Sequence, residues 1–151
     1  MTLKIDNQNY EYHENFLVPS DLNFLKSKLS SIPWRQVEYF KPNRGTIKTP
    51  RLSWVSGGYL KTENEHPSWI LPLLKHMQHT FNEDFNYILY FKYNSPSHSI
   101  SPHSDDEFFL GLNPKIAILS IGDLIKFKLI NKITNQKSSF DFKSNDLILM
   151  K

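Results

Sequence analysis

From residue 86 onward the sequence is a succession of short segments, "NYILYFKY", "KIAILSIG", "LIKFKLI", "SSFDF" and "DLILM", separated by polar turns. Each is rich in β-branched and aromatic residues, which suit a pleated, half-buried surface, and each is too short to be a stable helix. Such segments cannot satisfy their backbone groups alone; they must pair, so the second half of the chain has to be sheet. "NKITNQK" reads as the loop of a hairpin within it. Two helical segments precede the strands. "PSDLNFLKSKLSSIPW" carries a Leu22, Leu25, Leu29 stripe, with Ser20 expected as its N-cap and Pro33 as its stop. "LPLLKHMQHTF" is the second, with Pro72 in its first turn. Between them "PRLSWVSGGYL" reads as extended chain broken by a turn at Gly57 and Gly58. Helices followed by strands give an α+β order, and a helix-backed β-sandwich or jelly roll fits it.

At 151 residues the chain is expected to be one domain with a real core. We divide it into an N-terminal helix and extension (1–49), a second segment with its helix (50–82) and the strand region (83–151). An apolar content of 39% argues against disorder. No apolar run is long enough to span a bilayer, and the first residues have no signal-peptide core, so an intracellular, soluble protein without a membrane partner is expected. With no cysteine, disulfides and thiolate metal sites are excluded. A net charge of +3 is compatible with a polyanionic partner but equally with an ordinary surface.

The densest charge lies in "SPHSDDEFFLG", Ser101 to Gly111. On an extended segment, residues two apart share a face, so His103, Asp105 and Glu107 project together. An imidazole and a carboxylate so placed are two of the three ligands of the two-histidine, one-carboxylate iron triad. By spacing alone a solvated polar loop is the better reading.

The surroundings change that. "FNYILYFKYNSPSHSISPHSDDEFFLGLNPKIAILSIGDLIKF" resembles the core of the AlkB-type 2-oxoglutarate- and Fe(II)-dependent dioxygenases. The resemblance is carried by Phe85-Asn86, Tyr93, His103-Ser104-Asp105-Asp106-Glu107, Leu110-Gly111, the strand Ile116 to Gly122, and Phe127. "PRLSWVSGGYL" is similar to the family's substrate-lid segment, and "NDLILM" to its penultimate strand motif, so the likeness spans residues 50 to 150. It implies a double-stranded β-helix in which His103 and Asp105 bind Fe(II), Tyr93 hydrogen-bonds 2-oxoglutarate, and Glu107 faces the substrate base. The implied reaction is oxidative demethylation of N-alkylated bases in nucleic acid, with DNA preferred to RNA, as in alkylation repair. The N-methyl group is hydroxylated and leaves as formaldehyde. The base must be flipped or single-stranded. Trp54 and Tyr59 are the candidates to stack on it, with a core role open for Trp54; Arg51 could reach a phosphate or base, or make a surface salt bridge.

The sequence also departs from the pattern. The family's second iron-binding histidine and its carboxylate-binding arginines lie beyond the strand that "NDLILM" resembles. In this sequence His103 is the last histidine, and the arginines are Arg35, Arg44 and Arg51. Phe91 stands where the family has an asparagine, removing a polar contact to 2-oxoglutarate. The expectation is therefore a jelly roll incomplete at its C-terminal strands, with "DLILM" left at an unpaired edge, and a 151-residue chain that does not turn over by itself. The alternative is a degenerate AlkB-like domain that binds nucleic acid without oxidising it. His76 and His79 on the second helix read as a surface pair, and His98 as a solvated loop residue. Oligomeric state is not specified by any of these features.

Overall fold

The structure, a computed structural model, describes residues 10–58, 64–94 and 115–150 in full and the backbone of 2–5. In chain order the elements are strands β1 (Thr2–Ile5) and β2 (Tyr10–His13), helix α1 (Pro19–Leu29), and strands β3 (Glu38–Lys41), β4 (Gly45–Lys48) and β5 (Leu52–Gly57). A short 3-10 turn (Ser68–Ile70) leads into helix α2 (Leu71–Phe81), followed by β6 (Tyr87–Lys92), β7 (Ile116–Leu119), β8 (Ile125–Asn131), β9 (Lys137–Phe142) and β10 (Leu147–Met150). The fold is mixed α+β and rich in sheet, with no closed barrel among the described strands. No described helix is long and apolar enough to cross a membrane. The chain forms two compact units, residues 1–26 with 101–151, and residues 27–100.

The first unit holds two three-stranded sheets, β1-β8-β9 and β2-β10-β7. On β8, Phe127 and Leu129 point inward while Lys126 and Lys128 alternate outward, the period of a strand with one buried face. Its antiparallel register with β9 sets Phe127 opposite Phe140 and Lys126 opposite Asp141, so an aromatic pair lies inside and an ion pair outside. Phe127, Leu129 and Phe142 from this sheet pack with Ile148 and Met150 from the other to form the core. The β8–β9 loop turns where expected: Asn131 Oδ1 accepts the N–H groups of Ile133 (2.8 Å) and Thr134 (3.0 Å), and Asn135 takes a left-handed φ of 58°.

The strand of "DLILM" is not at an edge. β10 runs between β2 and β7, antiparallel to both, with Ile148 opposite Tyr12 on one side and Ile118 on the other. All four of its residues are buried. The expectation failed because "YEYH", which covers that edge, is short, has no β-branched residue and offers only two tyrosines between Glu11 and His13, so β2 carries a weak local strand signal and nothing that names its partner. The junction is locked by the turn ahead of β10. Asn145, with φ 68°, accepts the Leu17 N–H at 2.9 Å and donates to the Leu17 carbonyl at 2.8 Å. Asp146 accepts the Asn15 N–H (3.1 Å) through one oxygen and the Tyr12 hydroxyl through the other. Burial pushes the Tyr12 phenol up to about 12, and the Asp146 hydrogen bond and charge add to it.

α1 differs from its expected ends. Pro19 occupies the first turn, where its missing N–H costs nothing, so Ser20 lies within the helix and the Val18 carbonyl accepts the Leu22 N–H at 3.0 Å. The helix closes at Leu29, before Pro33, because the Ser31 hydroxyl and N–H both bond the Lys28 carbonyl.

In the second unit β3 and β4 make a hairpin, β5 pairs with β6, and α2 has Pro72 in its first turn, Leu74 buried, and Asn82 in a left-handed C-cap. Arg35 bridges to Ser53 through two backbone bonds of 3.0 and 2.7 Å, setting the chain ahead of β3 beside β5.

Candidate functional site

The antiparallel β5–β6 ladder places Ser53 opposite Phe91 and Leu52 opposite Lys92. One further step of that register brings Arg51 opposite Tyr93, on the face that Ser53 and Phe91 share. The side chains meet accordingly. The Arg51 guanidinium lies 5.1 Å from the centre of the Phe91 ring, and the Phe91 and Tyr93 rings are 6.4 Å apart. The Tyr93 hydroxyl is buried and has no hydrogen-bond partner, alone in this among the described side chains. Burial raises its pKa above the ordinary value, with the Arg51 charge pulling the other way. The phenol is thus a neutral donor beside a fixed cation. An orphaned buried hydroxyl costs stability, and a ligand oxygen would recover it.

The other face of the same ladder carries Trp54, Ser56 and Tyr90. Trp54 packs on Tyr90 at 5.3 Å, so its indole is separated by the sheet from Arg51 and Tyr93. Ser56 Oγ lies 2.9 Å from the Tyr90 hydroxyl and 2.8 Å from His66 Nδ1, and His66 Nε2 lies 2.9 Å from the Asn86 carbonyl. A carbonyl only accepts, so Nε2 carries the proton; in the neutral ring Nδ1 then accepts from Ser56, whose oxygen accepts from Tyr90. Gly57 makes room for this: a Cβ there would stand 2.1 Å from His66 Nε2 and 2.3 Å from the Asn86 oxygen. Sequence reading missed His66, since residues 10 and 34 positions apart form no motif; the glycine pair was its one visible trace.

The β3–β4 hairpin was also missed as structure. All four residues of β3 are exposed, Phe40 by 71%, and Lys41 lies over the Tyr39 ring at 5.7 Å. Lys48 reaches Glu38 across the strands, and Arg44 occupies the turn. Aromatic rings among cations on an exposed hairpin have the chemistry to stack on bases and pair with phosphates.

His103, Asp105 and Glu107 lie outside the described residues, as do Tyr59 and His98. His76 and His79 are both exposed on α2. Among the described residues no three or more His, Asp or Glu side chains gather as a metal site. Of the residues singled out by sequence, the structure therefore brings Arg51 and Tyr93 together and sets Trp54 apart from them. Compared with protein-family models and with curated proteins, the chain matches none.

Proposed function

We propose that this chain is a 2-oxoglutarate- and Fe(II)-dependent dioxygenase domain of the AlkB type, acting on N-alkylated bases of nucleic acid. The observation that carries the reading is the Tyr93 hydroxyl, buried without a partner beside the Arg51 cation. A small carboxylate such as that of 2-oxoglutarate fits a neutral donor next to a guanidinium. The exposed aromatic and basic side chains of β3–β4 support a nucleic-acid substrate. When bound, the metal and co-substrate would supply the oxidising power that turns an N-methyl group into one that leaves as formaldehyde. In this reading His103 and Asp105 hold the metal. Tyr93 orients the co-substrate through its O–H, Glu107 faces the base, and Tyr59 shapes the substrate side.

The test is a titration of the chain with Mn(II) under nitrogen, followed by Fe(II), 2-oxoglutarate and an N-methylated single-stranded oligonucleotide in air. Weak metal binding that is lost in His103→Ala and Asp105→Ala is expected, and formaldehyde release tracking 2-oxoglutarate consumption is expected once a C-terminal segment from a complete dioxygenase supplies a second histidine. A metal site that survives His103→Ala would overturn the ligand assignment. Oligonucleotide binding without any 2-oxoglutarate consumption by that extended chain would replace the enzyme with a non-catalytic binding module.

A further inference from the structure

We propose that Arg51, braced on the Phe91 ring, is the cation that anchors the co-substrate carboxylate bound by the Tyr93 hydroxyl. This rests on the dioxygenase reading and departs from it in one respect. The family draws its carboxylate-binding arginines from the C-terminal side of the sheet, and here the cation comes from the start of β5.

Three features carry it. First, register: continuation of the β5–β6 ladder makes Arg51 and Tyr93 cross-strand neighbours on one face, so a ligand oxygen can meet both. Second, the Phe91 ring holds the guanidinium 5.1 Å from its centre. A planar cation resting on an aromatic face is oriented and partly desolvated, which strengthens its attraction for an anion. The residue that departs from the family's asparagine is thereby a platform for the cation, and the two changes compensate one another. Third, the Tyr93 oxygen is buried. A polymer's backbone phosphate stays in solvent and does not follow Arg51 inward to a buried phenol, whereas the end of a small dicarboxylate can. Burial also keeps that phenol protonated and donating. A carboxylate is therefore the better occupant than the phosphate for which Arg51 was first considered.

The sign of one substitution separates this arrangement from the simpler one. If Phe91 merely lost a polar contact, Phe91→Asn would tighten 2-oxoglutarate. If it braces Arg51, Phe91→Asn weakens it.

The experiment is calorimetric binding of 2-oxoglutarate and of succinate to the full chain loaded with Mn(II) under nitrogen, beside a short unmodified oligonucleotide. Far-UV circular dichroism and tryptophan emission confirm that each variant is folded. Arg51→Gln and Tyr93→Phe should each weaken both dicarboxylates by roughly tenfold or more, the usual worth of a hydrogen bond to a charged group. Arg51→Lys should restore only part of the loss, because an ammonium lacks the planar fork. Phe91→Leu and Phe91→Asn should both weaken binding, while oligonucleotide affinity changes little in any of them. Wild-type affinity in Arg51→Gln, or tighter binding in Phe91→Asn, overturns the proposal. So does an Arg51→Gln variant that loses the oligonucleotide and keeps the dicarboxylates. Arg51-dependent dicarboxylate binding with no 2-oxoglutarate consumption in air, even in the chain extended by a C-terminal segment that supplies a second histidine, upholds the site and defeats the dioxygenase reading instead. The two failures are thus distinguishable.

Discussion

Gly57→Ala should destabilise the 27–100 unit well beyond Gly45→Ala. The cost has two parts. Gly57 has φ +77°, a conformation that costs an L-residue roughly 1–2 kcal/mol. The new Cβ would also stand 2.1 Å from His66 Nε2 and 2.3 Å from the Asn86 oxygen, so the imidazole must leave. Its departure breaks the His66–Asn86 and His66–Ser56 hydrogen bonds, each worth about 0.5–1.5 kcal/mol, and leaves the buried Ser56 hydroxyl with Tyr90 alone. The sum is about 2–5 kcal/mol. Gly45→Ala is the control: φ is +73°, nearly the same, but nothing lies within 4 Å of its Cβ. It should show the backbone cost alone, about 1–2 kcal/mol. Urea unfolding followed by tryptophan emission is the assay, since Trp34, Trp54 and Trp69 all belong to this unit. The midpoint of Gly57→Ala should fall below that of Gly45→Ala by on the order of 1 M, given a typical urea slope. Equal midpoints for the two variants would show that His66 is not held against Gly57, and the Ser56–His66–Asn86 chain would fall with it.

Two further outcomes concern the other unit. Asn145→Ala loses both side-chain bonds to Leu17 and puts a Cβ-bearing residue without a polar side chain at φ 68°; it should cost about 2–4 kcal/mol by far-UV circular dichroism melts, and Asn145→Gly less. Tyr12 is raised from 10.0 to about 12 in the fold, so between those values the unfolded chain gives up its proton first and stability must fall as pH rises. Stability measured from pH 9 to 12 should drop more steeply in the wild type than in Tyr12→Phe, and parallel curves would refute the Tyr12–Asp146 pairing.

The strands from β6 to β10 were legible because their signal is local: β-branched and aromatic residues between polar turns, with inward Phe127 and Leu129 alternating with lysines on β8. α2 was legible for the same reason, through its apolar spacing and Pro72. Arg51 and Tyr93 were singled out by the motif resemblance rather than by local pattern. Neither could show that they are neighbours, since that depends on the β5–β6 register, which no local signal in either strand encodes. β2 and the β3–β4 hairpin escaped because "YEYH" and "EYFK" mix aromatic with charged residues and take their strand character from their partners. For β10 the difference was decisive. The apolar run "LILM" made it a strand by itself; only pairing with residues Tyr10–His13, from the other end of the sequence, made it a central one. Propensity acts within a few residues, whereas backbone hydrogen bonds and burial are satisfied by whatever the folded chain brings alongside. The strands from β6 to β10 were therefore written in the sequence, whereas β2, β3 and β4, and the neighbours of every strand, with the Arg51–Phe91–Tyr93 cluster that depends on them, were decided by the fold.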